Sequence, residues 1–194
     1  MIAPIIALIV LTGLLVLEAA VYHRSVQRIP LRIHVNGTRG KSTVTEYLAE
    51  ALRQPGRVTM GKITGVIPTL IINGRRKHIE RHGNARLQEQ FGIIRRAGKQ
   101  GCDHLILECM SIDPELQKTE ASFFSPHLYI ITNLRDDHRE VSGPAKLSYM
   151  DAICQAIPPG CTVLTSETEQ FERIATAAAR KRCPVVQAGD ELPD

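Results

Sequence analysis

The first 22 residues form one apolar run, and the rest of the chain alternates short apolar segments with longer amphipathic ones. Residues 1–17 carry no charged side chain, and Glu18 alone interrupts the run that ends at Tyr22. At 1.5 Å per residue, a helix of this length is about 33 Å long, close to the thickness of the hydrocarbon core of a bilayer. The pattern therefore predicts a transmembrane anchor over residues 1–22.

The charges that flank this run predict its orientation. No basic side chain precedes the run, whereas a signal peptide begins with a basic region. Basic residues follow it directly, at His23, Arg24, Arg28 and Arg32. Because basic flanks remain on the cytoplasmic side, we expect a single-pass protein of the cell membrane whose residues 23–194 are cytoplasmic. A cleaved signal peptide and a buried helix are the weaker alternatives.

From residue 30 onward, short runs rich in β-branched residues alternate with amphipathic stretches. The short runs predict strands over 31–36, 58–60, 69–72, 104–107, 128–132, 162–164 and 184–187. The longer stretches predict helices over 41–53, 84–97, 114–122, 144–157 and 167–181. This alternation predicts one α/β domain over residues 23–194, with a mostly parallel sheet and helices on both faces.

Local signals refine these boundaries. Asp113 before Pro114 predicts a helix start, and Ser166 with Glu169 has the spacing of a capping box. The charged stretch GRRKHIERHG over 74–83 breaks the alternation of elements. It predicts an exposed hairpin tip or a mobile loop.

Composition narrows the class of protein. The chain has five cysteines without a C-x2-C pair, which is typical of reduced, buried thiols rather than a disulfide scaffold. It has no Trp and a net charge of only +4, so we expect no nucleic-acid partner.

The clearest chemical motif is a glycine loop between the first strand and the first helix of the domain. The loop reads Gly37-Thr38-Arg39-Gly40-Lys41-Ser42-Thr43. Its amides and the helix N-terminus predict an ATP phosphate site, with Lys41 on the β- and γ-phosphates and Ser42 on Mg²⁺. Val35 stands where the common G-x4-G-K-[ST] pattern has its first glycine, so this is a short variant. The alternative is a plain turn between strand and helix.

Two further motifs lie just beyond later predicted strands. The run LILECMSIDPE places Glu108 at the end of one strand, and YIITNLRDDH places Asn133, Asp137 and His138 after the next. Ligands of open α/β sheets bind beyond the carboxyl ends of the strands. Together with the short glycine loop, these motifs resemble the Mur ligase superfamily of ATP-dependent amide ligases.

The resemblance implies an ATP-binding domain of the Mur ligase type with a magnesium site. Glu108 would help to hold Mg²⁺, His138 would contribute to a second metal position, and Asn133 would contact the nucleotide. Hard oxygen ligands suit Mg²⁺ between phosphates. We therefore expect Lys41, Glu108 and His138 to be the catalytic residues.

Within the superfamily, the chain resembles the B subunits of poly-γ-glutamate synthases. The likeness includes NGTRGKSTVT at 36–45, MGKITG at 60–65, HGNARLQEQ at 82–90 and LECMSIDPELQ at 107–117. It implies that the terminal carboxylate of a glutamate chain attacks the γ-phosphate of ATP, and that a glutamate amine then displaces phosphate to form the amide. It also implies partner subunits in the membrane.

Two features are candidates for contact with the growing glutamate polymer. Lys62 and Thr64 lie in the segment expected near the acceptor, with an ordinary connection between elements as the alternative. Basic residues between Gly74 and Arg86 could guide a polyanion, with a solvated loop as the alternative.

Departures from the superfamily pattern leave other functions open. Ile153 stands where many Mur ligases carry a carbamylated lysine. The chain ends at Asp194, so we expect either a truncated form or a site that a partner completes. The alternatives are a non-catalytic nucleotide-binding assembly or regulatory subunit, a folylpolyglutamate synthase-like enzyme, and a P-loop phosphotransferase, against which Val35 counts.

Overall fold

A computed structural model describes residues 2–65, 67–81, 83, 85–135 and 148–189. The helices are α1 (Ile2–Gln27), α2 (Lys41–Ala51), α3 (Leu87–Lys99), α4 (Pro114–Phe124), α5 (Tyr149–Gln155) and α6 (Phe171–Arg180). The strands are β1 (Leu31–Asn36), β2 (Thr59–Ile63), β3 (Thr69–Ile72), β4 (Arg75–His78), β5 (His104–Glu108), β6 (Leu128–Ile131), β7 (Thr162–Thr165) and β8 (Val185–Gln187). All seven predicted strands are present, most of them within one residue of the predicted bounds.

The strands form a single sheet in the order β4-β3-β2-β5-β1-β6-β7-β8. The six strands from β2 to β8 in this order are parallel, and β3 and β4 add an antiparallel edge. The mostly parallel α/β fold is therefore confirmed. Because β5 and β6 lie on opposite sides of β1, the strand order reverses at β1, and such a reversal opens a crevice at the carboxyl end of the sheet.

The antiparallel edge explains the charged stretch that interrupts the sequence pattern. Asn73 and Gly74 both have positive φ angles, of 48° and 80°, and form the tight turn that connects β3 to β4. All four residues of β4 are exposed. The charged stretch therefore contains the exposed second strand of a hairpin and is not its tip, and β4 was not predicted as a strand because an exposed edge strand needs no apolar face.

The core lies on both faces of the sheet, as the continuously apolar strands predict. Within β5, Leu105 and Leu107 pack with α3 and α4, whereas Ile106 packs on the opposite face with Ala49 of α2. A third cluster joins β6 and β7 to α5 and α6. All five cysteines are buried and unpaired, as predicted; burial raises the pKa of Cys102 to about 12.

Two helix starts test the capping signals. Asp113 caps α4, because its carboxylate accepts the amides of Glu115 and Leu116 at 3.0 and 3.1 Å. The predicted capping box of Ser166 and Glu169 is wrong, since α6 begins only at Phe171. Ser166 follows β7 directly, and its hydroxyl donates to the Thr132 carbonyl at 3.3 Å.

Glu167, and not Ser166, accepts the backbone amides of this turn. The Glu167 carboxylate accepts the amides of Glu169 and Gln170 at 3.0 and 3.3 Å.

The predicted helix over 144–157 is described only from residue 148. The Ser148 hydroxyl accepts the amide of Asp151 at 3.2 Å and so caps α5. Its predicted beginning lies outside the described residues.

Helix α1 continues five residues beyond the predicted anchor. An 18-residue window of it has a mean hydropathy of 2.5 and none of it is buried, so its length and composition suffice to cross a membrane. Its last turns are different, because Ser25 and Val26 are buried against the domain. A Cβ atom at Gly98 of α3 would lie 2.3 Å from the Ser25 carbonyl oxygen, so the two helices cross in close contact there.

Candidate active site

The glycine loop lies at the carboxyl end of β1, where the strand order reverses. Gly37 and Gly40 have φ angles of 129° and 83°, which L-residues with a side chain rarely adopt. A Cβ atom at Gly37 would lie 2.2 Å from Thr132 Oγ1. Glycine is therefore required at Gly37 twice over, by its backbone angle and by the close approach of the segment after β6.

The segment after β6 holds the loop in shape. The amide of Thr38 donates to the Asn133 carbonyl at 3.0 Å. The Asn133 side chain accepts the amide of Arg39 at 3.1 Å and donates to the Arg39 carbonyl at 2.9 Å. Thr132 Oγ1 donates to the same carbonyl at 2.7 Å. Asn133 thus fixes the loop backbone, a contact that no sequence motif revealed, and its predicted contact with the nucleotide stays a prediction.

The first turn of α2 is open to an anion. Gly40 is the N-cap residue of α2, and no side chain caps the helix. Unpaired amides at a helix N-terminus carry a partial positive charge that attracts phosphate. Thr43 is exposed on this turn. Lys41 folds over the loop, since its ammonium donates to the Gly37 and Thr38 carbonyls at 2.7 and 3.3 Å.

Glu108 meets the glycine loop from the end of β5. Residues Val35 and Glu108 are register partners on neighbouring parallel strands. The Ser42 hydroxyl lies 3.0 Å from both carboxylate oxygens of Glu108, and the Thr64 amide donates to one of them at 2.7 Å. The structure thus brings three predicted site residues together, although Thr64 contacts Glu108 through its backbone.

A hydroxyl and a carboxylate side by side are a suitable start for a magnesium site. Mg²⁺ prefers oxygen ligands in octahedral geometry, and protein sites commonly supply one or two of them while phosphates and water supply the rest. Ser42 and Glu108 fit this requirement. The other predicted ligand, His138, lies outside the described residues, as does Asp137.

Glu120 of α4 supports the segment that follows Glu108, although no sequence motif indicates this role. Glu120 is 1% exposed. Its carboxylate accepts the Met110 amide at 3.1 Å, the Ser111 hydroxyl at 3.0 Å and the Gln90 side-chain amide at 2.7 Å. His34 Nε2 lies 3.2 Å from the same carboxylate. Burial raises the pKa of Glu120, but the contact with His34 and the other donors outweigh it and hold that pKa below its ordinary value.

Gln90 connects this support to a buried ion pair. Its amide nitrogen also donates to the Glu108 carbonyl at 3.0 Å, and its oxygen accepts the Lys62 ammonium at 2.7 Å. Lys62 is fully buried, and its ammonium lies 2.6 Å from Glu89, which Arg81 binds through two hydrogen bonds of 2.7 and 2.8 Å. Burial lowers the pKa of Lys62 against the opposing effect of Glu89. The ammonium of Lys62 is therefore engaged inside the domain, and its contact with an acceptor stays a prediction.

A cleft of about 680 Å³ lies beside the glycine loop. It is lined by residues 132–135, by residues 166–170 and by Met150. Asn133 therefore faces both the loop and the cleft, so a molecule bound at the loop would have room to extend between β6 and β7. This volume is typical of small-molecule sites.

The fold and this site define the class of protein. Residues 35–193 match the Mur ligase middle domain family, and the chain belongs to that family. It is 28% identical over 188 residues to PGA synthase CapB of Bacillus subtilis (strain 168), covering 95% of this chain and 48% of the relative. It is 27% identical over 175 residues to the capsule biosynthesis protein CapB of Bacillus anthracis, covering 88% of this chain and 38% of that protein. The chain thus spans less than half the length of both curated relatives.

Solved structures share the fold at low sequence identity. E. coli FolC in complex with ADP superposes with a TM-score of 0.63 at 18% identity, over 89% of this chain and 46% of that one. A Yersinia pestis folylpolyglutamate synthase/dihydrofolate synthase complexed with AMPPNP and Mn gives 0.54 at 19% identity, over 87% and 46%. At these identities the likeness establishes the fold.

Proposed function

We propose that the chain is an ATP-dependent amide ligase subunit of poly-γ-glutamate synthesis. The observation that carries this proposal is the contact of Ser42 with Glu108 beside an uncapped helix N-terminus and a glycine loop. These groups can neutralise and position phosphates. Proteins catalyse phosphoryl transfer mainly by positioning and electrostatic stabilisation.

The geometry of the glycine loop, Ser42 and Glu108 supports the proposed roles. The loop from Gly37 to Thr43 would cradle the ATP phosphates, and Lys41 would turn from the loop carbonyls to the β- and γ-phosphates. Ser42, Glu108 and His138 would hold Mg²⁺, which supplies positive charge between the phosphate oxygens when bound. The cleft beside Asn133 would take the nucleoside.

In the proposed reaction, a carboxylate oxygen of the glutamate chain attacks the γ-phosphorus of ATP, and the bond to ADP breaks. The nitrogen of an incoming glutamate attacks the carbonyl carbon of the acyl phosphate. Phosphate leaves, the nitrogen loses a proton, and an amide bond remains. The name of the Bacillus subtilis relative, PGA synthase, supports poly-γ-glutamate as the product. Lys62 and Thr64 remain the proposed acceptor-site residues.

The proposed location is the cell membrane. The apolar part of α1 would cross the bilayer as an anchor over residues 1–22, and residues 23–194 would form the cytoplasmic ATP-binding domain, with other membrane subunits of the synthase as partners. The length and hydropathy of α1 and the basic residues after it support this arrangement.

The test uses membranes that contain the complete synthase, supplied with ATP, Mg²⁺ and labelled glutamate. We expect glutamate-dependent ADP release together with labelled polymer. Lys41→Ala should reduce both by at least about 100-fold, as expected for loss of one transition-state charge contact, without changing membrane insertion. Lys118→Ala, at an exposed position of α4, is the matched control.

Two outcomes would contradict the proposal. Normal polymer yield from Lys41→Ala would remove the glycine loop from the reaction. ATP binding without glutamate-dependent ADP release would instead support a nucleotide-binding assembly subunit.

A further inference from the structure

A second cleft lies between α1, α3 and α4, on the opposite face of the sheet from α2. Its volume is about 730 Å³. Helix α1 lines it from Leu15 to Gln27, so one end begins on the apolar stretch of α1 and the other reaches the buried turn at Val26. We call this cleft the α1 groove.

Three aromatic rings form one wall of the α1 groove. The ring of Tyr22 lies 5.5 Å from that of Phe91 and 5.9 Å from that of Phe123, and the last two are 5.1 Å apart, measured between centroids. Phe123 is nevertheless 51% exposed. The wall therefore presents apolar surface outward, next to the helix that carries most of the chain's exposed apolar side chains.

The α1 groove is lined by one pair of opposite charges, Arg95 and Glu18, and by one histidine. Arg95 lines it and lies 3.4 Å from Glu18, and His23 lies on its α1 side. The Arg95 side chain is 39% exposed, so its guanidinium can still meet another anion. Arg24 near the end of α1 and Arg28 directly after it are further basic residues, and both lie outside the lining of the groove.

The position of the α1 groove along α1 indicates the occupant. From Leu15 to Tyr22 the helix rises about 10 Å. If residues 1–22 cross the bilayer, as proposed above, the α1 groove opens at the level where acyl chains meet headgroups. Aromatic and basic side chains are typical of this level.

We propose that the α1 groove binds one anionic phospholipid. An acyl chain would lie against Tyr22, Phe91 and Phe123, and Arg95 would bind the phosphate in competition with Glu18. The inference rests on the proposed membrane placement. The continuity of the groove with the apolar stretch and the basic residues at the end of α1 favour a lipid over a helix of another protein.

The absence of Trp from the chain allows a direct test. The variants Phe123→Trp, Ile9→Trp and Tyr47→Trp each carry a single tryptophan. They are reconstituted into bilayers whose acyl chains are brominated, because bromine quenches tryptophan only on contact. Ile9 lies in the apolar stretch and is 64% exposed, and Tyr47 lies on α2 and is 72% exposed. Circular dichroism verifies that each variant is folded.

We expect quenching of Phe123→Trp and Ile9→Trp and none of Tyr47→Trp. If Ile9→Trp is quenched and Phe123→Trp is not, the lipid proposal fails while the membrane placement stands. If neither is quenched, the membrane placement fails, and the lipid proposal fails with it.

The headgroup preference is tested by placing the bromine on either phosphatidylglycerol or phosphatidylcholine at the same fraction. Phosphatidylglycerol should quench Phe123→Trp at about fivefold lower concentration, which corresponds to about 1 kcal/mol for one basic side chain at an anionic surface. In the double variant that combines Phe123→Trp with Arg95→Gln, the preference for phosphatidylglycerol should be lost. Equal quenching of Phe123→Trp by both lipids while Arg95 is present would overturn the assignment of an anionic lipid.

Discussion

At the scale of single residues, the candidate site depends on one carboxylate that has two neighbours. Glu108 accepts the Ser42 hydroxyl and the Thr64 amide, so it links the first turn of α2 to the end of β2. A group held from two sides keeps its oxygens at a defined position. Such fixed oxygens favour a cation that tolerates little distortion.

Glu108→Gln tests this role. The amide keeps the shape but loses the charge, so we expect the Mg²⁺ concentration for half-maximal ADP release to rise about 10-fold or more, in line with the loss of one ligand contact. Glu115→Gln, at an exposed position in the first turn of α4, is the control. An unchanged Mg²⁺ titration would remove Glu108 from the site.

Site residues that belong to contiguous sequence motifs could be predicted. Site residues whose contacts join distant parts of the chain could not. The glycine loop is contiguous, and Glu108 follows an apolar strand whose end is evident, so both were found. The bond from Gln90 to Glu120 joins residues 30 positions apart, and neither belongs to a recognisable motif. A buried carboxylate on an otherwise ordinary helix is visible only when α3, α4 and β5 are packed together.

At the scale of elements, apolar runs predicted the strands well where both faces are covered. β2 extends to Ile63, beyond the predicted end at residue 60. The prediction ended too early because the charged residue Lys62 occupies a buried position of the strand. No hydropathy pattern predicts a buried lysine whose partner is contributed by another helix. The exposed β4 escaped prediction for the opposite reason, since it has no buried position at all.

The crossing of α1 and α3 gives a test at this scale. Gly98→Ala places a methyl group 2.3 Å from the Ser25 carbonyl oxygen, so we expect the free energy of unfolding to fall by roughly 1–3 kcal/mol. Gly92→Ala on the same helix meets no atom within 4 Å and should raise it by about 0.5–1 kcal/mol.

Urea unfolding of the full chain in detergent measures both variants. Equal effects of the two substitutions would show that α1 does not contact α3 closely. The comparison separates the crossing from helix propensity, because both substitutions replace glycine by alanine in α3.

At the scale of the whole molecule, the buried ion pair makes stability depend on pH. Burial raises the pKa of Glu89, but hydrogen bonds from Arg81 and Lys62 outweigh it and bring that pKa to about 2, below its ordinary value of 4.5. A lowered pKa in the folded state means that the ionised form favours folding. This stabilisation is complete above about pH 4.5 and is lost as the pH falls toward 2.

Glu89→Gln should therefore lower the stability of the folded protein at pH 6. Between pH 5 and pH 3 the variant should lose less stability than the wild type. Thermal unfolding across this range measures the effect. Glu80→Gln, which removes an exposed carboxylate nearby, controls for the change in net charge. Parallel pH profiles for wild type and Glu89→Gln would show that the ion pair does not contribute.

The unbroken course of α1 has a consequence for encounters between molecules. The helix runs from Ile2 to Gln27 without interruption, and its last turns are packed against α3. If the helix is embedded in a bilayer, the domain can spin about the membrane normal but cannot tumble. Two such molecules would then search for each other in a plane with few relative orientations, which lowers the rotational entropy lost on association. A weak contact between neighbouring faces would suffice to assemble them.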